Sequence, residues 1–372
     1  MSKNLRLIVL AIFVAASSFG QDRERADRRI EFPDVPGYLT LKCDLHQHTV
    51  FSDGAVWPDI RVQEAVRDGL DAISLTEHLE YQPHQDDIPH PDRNRSYHLA
   101  LHNALEHDLL IIHGSEITRD MPPGHANAIF IQDANPMLHD DALEAFREAR
   151  RQGAFIFWNH PNWTAQAPDG IARLSEMHRQ LIADDLLDGI EVVNETTMSE
   201  EAFQIAVDHD LTIMGTSDIH GLVDWMFEVP EGGHRPVTLV FAKERTHESI
   251  REALFAGRTV AWFRNDLVGK AELLQPLLEA SIRVVGAAYQ ENTTVAIVTI
   301  DNVSDASFVL LNEGEHSFHE HNDLVTLEAH TITELAVKTK TWAPELELHF
   351  RVLNALTAPR AHPTITLTVA IE

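Results

Sequence analysis

The chain has 372 residues, of which 44% are hydrophobic and 23% are charged, a composition typical of a globular protein and unlike that of a disordered tail. Its formal net charge of −29 at pH 7 argues against long nucleic acids and anionic membrane surfaces as partners. A small anionic substrate remains compatible with this charge, because bound divalent metals can reverse the local sign of a site. The single cysteine, Cys43, excludes an intrachain disulfide, and the sequence does not specify an oligomeric state.

The first twenty residues have the layout of a secretory signal peptide. Lys3 and Arg6 precede the apolar run Leu7–Ala16, and Ser18–Gly20 then gives a small-x-small pattern before Gln21. An uncleaved membrane anchor is the weaker alternative, because the apolar run is shorter than the roughly 20 residues that span a bilayer. We therefore predict cleavage near Gln21, a secreted, periplasmic protein and no stable membrane insertion after cleavage.

From residue 39 to about residue 264, short apolar runs alternate with longer amphipathic ones, which is the pattern of repeated βα units. The predicted strands are Leu41–Leu45, Ala72–Leu75, Leu109–Ile112, Ala126–Ile131, Ala154–Trp158, Ile190–Val193, Thr212–Gly215 and Pro236–Phe241. The best predicted helices are Pro58–Asp68, Asp141–Gln152, Ser199–Asp208 and His247–Phe255. Thr246 is the expected N-cap of the last helix, and Gly257 is expected to end it. Parallel strands joined by helices in this number predict a barrel.

After about Lys270 the pattern changes to short alternating strands separated by polar turns, with no strong amphipathic helix between them. The predicted strands are Asn292–Asp301, Ser307–Leu311, Leu324–Leu327, Thr333–Val337, Leu346–Leu353 and Thr364–Ile371. This pattern is typical of a β-sandwich. The sequence thus predicts an α/β chain with a signal peptide at 1–20, a barrel domain at 21–270 and a β-sandwich domain at 271–372.

Side chains that can bind metals fall at or just after the predicted barrel strands, where the residues of a βα barrel converge on one face. The nine candidates are His46, His48, Asp53, His78, Glu116, His125, His160, Asp218 and His220. In His46-x-His48 and Asp218-x-His220, both side chains lie on one side of an extended strand. Mixed nitrogen and oxygen ligands suit Zn²⁺, Mn²⁺ or Fe²⁺ better than Ca²⁺. Because the candidates exceed what one ion can use, we predict two or three divalent metals.

Five segments together resemble the motifs of the PHP (polymerase and histidinol phosphatase) family, in the right order along the chain. They are Asp44–Gly54, Thr76–His78, Gly114–Glu116, Asn159–Pro161 and Ser217–His220. The resemblance implies a distorted seven-stranded barrel that holds two or three metals and acts on phosphate esters. It further implies one metal bound by His46, His48, Glu116 and Asp218, a second by Glu116, His125 and His160, and a third by Asp53, His78 and His220.

Several neighbouring residues have competing interpretations. Asp53 precedes Gly54, so a simple turn is the alternative to a ligand position. Glu77 is expected to orient a ligand, whereas Asp44 either aligns His46 or caps a loop. The remaining assignments are His113 as a packed core histidine, Asn194 and Glu195 as support or substrate contacts, and His178 as a helical residue without a role.

Arginines and aromatic residues near the expected rim are candidates for substrate binding. Arg119 and Arg235 can each grip a phosphoryl oxygen with forked donors, or form a surface or interdomain salt bridge. The loop aromatics Trp57, Tyr81, Trp163 and Trp225 can stack a ring, although such residues more often cover the edge of a core.

The expected reaction is hydrolysis of a small phosphate mono- or diester by metal-activated water, with Glu116 and Asp218 in the catalytic centre and Asp53 relaying a proton. Related metal barrels hydrolyse amides or lactones, and the ligand set alone does not exclude that chemistry. An exonuclease acting on nucleic-acid ends fits the charge poorly. A carbohydrate- or protein-binding module with structural metals fits the complete set of candidate ligands least well.

Overall fold

The structure is a computed structural model that describes residues 29–371. The predicted signal peptide and its cleavage point lie outside the described residues. Within residues 29–371, no helix is both long and apolar enough to cross a membrane.

The described chain has twenty strands and eight α-helices. The strands of the N-terminal part are β1 (Leu39–Asp44), β2 (Ala72–Leu75), β3 (Leu110–Ile117), β4 (Ala126–Ile129), β5 (Phe155–Trp158), β6 (Gly189–Asn194), β7 (Thr197–Met198), β8 (Thr212–Thr216), β9 (Val237–Ala242), β10 (Thr259–Phe263) and β11 (Asp266–Gly269). Those of the C-terminal part are β12 (Ile282–Tyr289), β13 (Val295–Asn302), β14 (Phe308–Asn312), β15 (Ser317–Phe318), β16 (Leu324–Leu327), β17 (Ile332–Lys338), β18 (Glu345–Val352), β19 (Ala355–Leu356) and β20 (Thr364–Ala370). The helices are α1 (Pro58–Arg67), α2 (Arg95–Glu106), α3 (Ala142–Arg151), α4 (Glu176–Ala183), α5 (Glu200–His209), α6 (Val223–Met226), α7 (His247–Phe255) and α8 (Ala271–Ser281).

The N-terminal part is a curled, barrel-like sheet, so the predicted fold class is confirmed. Its strands follow the order β19-β11-β10-β9-β1-β2-β3-β4-β5-β6-β7, and β8 pairs with β6. The expectation of parallel strands holds only in part. Strand β1 runs parallel to β2 but antiparallel to β9, and β4 runs antiparallel to both β3 and β5.

Side chains close the seam between β8 and its neighbours β9 and β10, where no backbone ladder forms. The Thr238 hydroxyl donates to the Gly215 carbonyl at 2.8 Å, and the Thr259 hydroxyl donates to the Ile213 carbonyl at 2.7 Å. These threonines therefore complete the curl that a continuous ladder would otherwise provide.

Local sequence signals explain where the helices begin and end. The Thr246 hydroxyl accepts a hydrogen bond from the Ser249 amide, which confirms Thr246 as the N-cap of α7. Gly257, just past the end of that helix, has a φ of +64°, a conformation that glycine adopts without a Cβ penalty.

The C-terminal part consists of two four-stranded sheets, β12-β13-β17-β15 and β16-β14-β18-β20. Buried and exposed residues alternate along β18 and β20, as expected of strands with one face in a core. The sequence did not predict helix α8, which contains Pro276, or the irregular edge strand β12. The two parts pack closely: β19 pairs with β11, and one hydrophobic cluster includes both Leu267 and Phe308.

Candidate metal centre

All nine predicted ligands meet in one crevice at the barrel end where β1, β2 and β8 finish. Several of their side chains are fully buried, and the most exposed is that of His220, at 36%. Adjacent backbone links hold the loops together: His78 bridges to Glu116, and the Asp218 amide donates to the His46 carbonyl at 2.9 Å.

The first predicted ligand group is compact. Asp218 Oδ1 lies 3.0 Å from His46 Nε2 and 3.1 Å from His48 Nε2. The same two nitrogens lie 3.9 Å and 3.7 Å from the Glu116 carboxylate. Four potential ligand atoms thus surround one small volume, as a metal with mixed nitrogen and oxygen ligands requires.

Glu116 also belongs to the second predicted group. Its Oε1 lies 3.0 Å from His125 Nδ1 and 3.6 Å from His160 Nε2. Its Oε2 faces His48 and, at 2.5 Å, His78 Nδ1. The carboxylate therefore lies where it can bridge two ions.

The third predicted group centres on Asp53. Its Oδ1 lies 3.2 Å from His220 Nε2, and its Oδ2 lies 3.3 Å from His78 Nε2. His48 closes this group through Nδ1, 3.6 Å from Asp53 Oδ1. Asp53 and Gly54 also form the turn that was the competing interpretation, and a Cβ at Gly54 would lie 2.7 Å from the His48 backbone. The turn and the ligand position are therefore compatible.

Buried polar atoms without partners show that these residues fit metal ions. Glu116 Oε2, His125 Nδ1 and Asp218 Oδ1 are buried and have no hydrogen bond of acceptable geometry. Leaving such atoms unpaired costs free energy, which a cation at their centre would repay through coordination. The roles of the individual ligands and the number and identity of the ions remain predictions.

The charges of the crevice are strongly coupled. Burial lowers the pKa of His46, but the carboxylates of Asp218 and Glu191 outweigh that effect and raise the pKa to about 10. Burial, together with His220 and His78, lowers the pKa of His48 to about 3. Burial raises the pKa of Glu116, yet the surrounding histidines hold it well below the usual range. Glu116 is therefore a carboxylate at neutral pH, the form in which a glutamate side chain can ligate a metal.

Two ligands occupy strained backbone conformations. Asp218 has a φ of +47° and His160 a φ of +29°, values that side-chain-bearing residues rarely adopt. Such strain persists where surrounding structure over-determines it, and it occurs frequently at functional sites.

Buried polar residues orient the ligands. Glu77 accepts hydrogen bonds from Thr49 and Ser52, which supports an orienting function rather than ligation. Asp44 accepts from the Ser217 amide and hydroxyl, so it holds the loop that precedes Asp218. Asn194 donates to Asp218 Oδ2 at 3.3 Å, which places it in a supporting position.

Glu191 is the main functional residue that sequence reasoning missed. Its Oε1 lies 2.7 Å from His46 Nδ1, and its Oε2 accepts from the His160 amide at 2.6 Å and from Asn194 at 2.8 Å. One carboxylate thus orients residues of two ligand groups. The available signal was a charged residue inside the otherwise apolar run Ile190–Val193.

Two sequence-based interpretations were wrong. Arg235 is fully buried, 3.1 Å from Asp44 and 2.7 Å from Asp68, so it is not available to bind a substrate. His178 is also buried: it completes the N-terminal cap of α4 with Ser175 and stacks on Trp158. The residues around His178 in the sequence are polar, but its ring packs inward against Trp158.

The other secondary candidates divide between the core and the rim. His113 is a packed core histidine, as expected, and stacks on Tyr97 at 4.1 Å. Arg119 lies 2.8 Å from Glu80 and points toward the His139 and Asp140 carbonyls, and its substrate-binding role stays a prediction.

A solved structure matches nearly the whole chain. The structure of a two-domain protein from Bacteroides vulgatus, containing a predicted PHP-like metal-dependent phosphoesterase, has 42% sequence identity and a TM-score of 0.86, covering 92% of this chain and 98% of its own. A family model described as an Ig-like domain (DUF5001) matches residues 282–368. No curated protein matches the chain.

Two other solved structures are more distant. A proposed metal-dependent phosphoesterase from Bifidobacterium adolescentis has 17% identity and a TM-score of 0.41, covering 58% of this chain and 96% of its own. An amidohydrolase from Chromobacterium violaceum has 15% identity and a TM-score of 0.34, covering 48% of this chain and 87% of its own. Neither bears on the function of this chain.

The curled barrel with histidine and carboxylate side chains at its strand ends defines a PHP-like metal-dependent domain, as the sequence motifs predicted. Identity of 42% over nearly the full length shows that the chain belongs to the family of two-domain PHP-like proteins. Its second domain is Ig-like.

Proposed function

We propose that the chain is a secreted, metal-dependent phosphoesterase that hydrolyses a small phosphate mono- or diester. The observation that carries the proposal is the convergence of nine ligand-type side chains, with partnerless buried atoms on Glu116, His125 and Asp218. The Bacteroides vulgatus relative, which contains a predicted phosphoesterase of this type, supports the reaction class.

The nine predicted ligands form three groups, each of which would hold one ion. His46, His48, Glu116 and Asp218 would hold one ion, Glu116, His125 and His160 a second, and Asp53, His78 and His220 a third. Bound there, Zn²⁺, Mn²⁺ or Fe²⁺ lowers the pKa of coordinated water and neutralises charge on the phosphoryl group.

Asp53 is the residue best placed to move a proton. Its side chain is 23% exposed, whereas that of Glu116 is fully buried, so Asp53 can reach both the crevice and solvent. Burial raises the pKa of Asp53, but hydrogen bonds from His220 and His78 hold it below the usual range, so Asp53 is a carboxylate at neutral pH. A lowered pKa makes Asp53 a weak base, so its proposed part is to relay a proton between water and the leaving oxygen rather than to retain it.

Elemental analysis followed by a phosphate-release screen tests the proposal. We expect two or three divalent ions per chain and activity on at least one of a panel of nucleotides, sugar phosphates and phosphodiesters. Asp218→Asn and His48→Ala should each lower kcat/KM by ~10³-fold or more, about 4 kcal/mol, because each removes a buried ligand. Thermal melting checks that these variants are folded.

The control is His102→Ala, since that side chain is 84% exposed on α2. It should leave the rate unchanged. A metal-replete wild-type protein with one ion or none would contradict the multinuclear site, and full activity in both ligand variants would place the catalytic centre elsewhere.

A further inference from the structure

Two exposed aromatic side chains contact the predicted metal ligands. Trp163 is 46% exposed, and its ring centroid lies 5.2 Å from that of His160 and 5.7 Å from that of His125. Tyr81 is 52% exposed, and its ring lies 5.8 Å from that of His78. The rings of His78 and His125 are neighbours at 5.4 Å, so the two aromatics flank one stretch of the crevice.

The backbone holds both aromatics in place. The Trp163 amide donates to the His160 carbonyl at 2.8 Å, and the Trp163 carbonyl accepts from the Ala167 amide at 2.7 Å. On the other side, the Leu79 amide donates to the Glu116 carbonyl at 2.9 Å, and Glu80 accepts from the Thr118 amide at 2.8 Å. Tyr81 therefore follows directly on a segment tied to the ligand strand.

These exposed rings do not cover a core edge, which is the ordinary reason for a loop aromatic. Moving an aromatic face out of water is favourable. Because these faces are still exposed, a ligand that covers them gains that free energy when it binds. The two rings are thus the apolar surfaces that a substrate would meet next to the phosphoryl position.

The charges nearby do not favour a second anionic group on the substrate. Among the described residues, the arginine closest in sequence to this stretch is Arg119, which already pairs with Glu80 at 2.8 Å. Glu80 and Asp53 add carboxylates on the Tyr81 side. A second phosphate there would compete with Glu80 for Arg119, whereas a neutral ring needs no cation.

We propose that the alcohol part of the substrate carries an uncharged planar ring that packs against Trp163 and Tyr81. This inference rests on the proposed phosphoesterase function and specifies its substrate class. Trp163 borders the predicted ligand group of Glu116, His125 and His160, and Tyr81 borders that of Asp53, His78 and His220. A phosphoryl group between these ions would therefore direct its alcohol past one or both rings.

The test compares benzyl phosphate, cyclohexylmethyl phosphate and ethyl phosphate, all of which are esters of alkyl alcohols and so differ little in the basicity of the leaving group. In metal-replete wild-type protein, kcat/KM should be about 10-fold higher for benzyl phosphate than for ethyl phosphate, with the cyclohexyl compound between them. Trp163→Leu should lower the ratio of kcat/KM for benzyl phosphate to kcat/KM for ethyl phosphate about 10-fold, mainly through the KM for benzyl phosphate. Tyr81→Leu should act in the same direction.

The matched control is Trp342→Leu, because Trp342 is 62% exposed in the Ig-like domain. It should change neither substrate. Equal rates for benzyl and ethyl phosphate, or an equal loss on both in Trp163→Leu, would overturn the ring proposal while leaving the phosphoesterase assignment intact. No release from any of the three esters, nor from the wider screen, would remove the assignment and the ring proposal together.

Discussion

Two buried ionic clusters lie side by side in the barrel and differ in how their charges are balanced. In the arginine cluster, formed by Asp44, Asp68 and Arg235, a permanent cation lies between two carboxylates. The metal centre, which begins two residues later at His46, contains histidines and carboxylates but no permanently charged cation. Ser217 connects the two, since it donates to Asp44 while preceding the ligand Asp218.

We therefore expect the arginine cluster to stabilise the fold and the metal centre to bind ions. The arginine cluster contains its own cation, so its contribution to folding does not depend on a ligand. The metal centre retains buried atoms without partners on Glu116, His125 and Asp218, which bound ions would engage. Substitutions in the two clusters should therefore change different quantities.

The largest effect on stability is expected for Arg235→Met. The variant leaves Asp44 and Asp68 buried without a cation, which should lower the free energy of unfolding by about 3–5 kcal/mol. Urea unfolding of the metal-free protein measures this loss. Arg173→Met is the control, because its ion pair with Asp169 is 60% exposed on the arginine side and should contribute little to stability. Equal, small losses in both variants would show that the arginine cluster is not structural.

His178 supplies the reference for a buried imidazole that has neither a metal nor a carboxylate partner. Burial lowers its pKa from 6.5 to about 4. The unfolded chain therefore binds a proton as the pH falls through 6.5, whereas the folded chain does so only near pH 4. Stability from this residue is complete above pH 6.5 and is lost between 6.5 and 4, by up to about 3 kcal/mol.

His178→Gln separates this effect from other groups that titrate in the same range. Urea unfolding of metal-free wild-type and variant proteins at several pH values should give curves that converge as the pH falls from 6.5 to 4. Parallel curves would mean that the buried imidazole does not resist protonation.

The smallest of these effects is expected for Glu191→Gln. The amide keeps the size of the side chain but removes the charge beside His46 and places a donor among groups that already donate, so His46 and His160 lose their orientation. Metal affinity should fall about 10- to 100-fold, while the protein stays folded. Metal titration measures the change, and Glu176→Gln, a change in a side chain that is 95% exposed on α4, should show little. An affinity within twofold of wild type would leave Glu191 with a packing role only.

The sequence predicted the position of the site better than its surroundings. The motifs around His46, His78, Glu116, His160 and Asp218 fix where ligands occur along the chain, and strand ends of a barrel must converge. Strand direction could not be predicted, because an apolar run such as Ala126–Ile131 has the same pattern in parallel and antiparallel pairing. The burial of Arg235 and His178 depends on contacts with residues far along the chain, and no local pattern reports these.

Strand β19 of the Ig-like domain covers the edge of the barrel sheet by pairing with β11. Leu267 and Val268 of β11 meet Ala355 and Leu356 of β19, so backbone groups at that edge are occupied by the same chain. A chain cut after Ser281 would expose this edge together with the apolar surface of α8. Open strand edges next to apolar surface pair with other chains, so we expect the isolated barrel to aggregate. A shortened protein would need another segment in the place of β19.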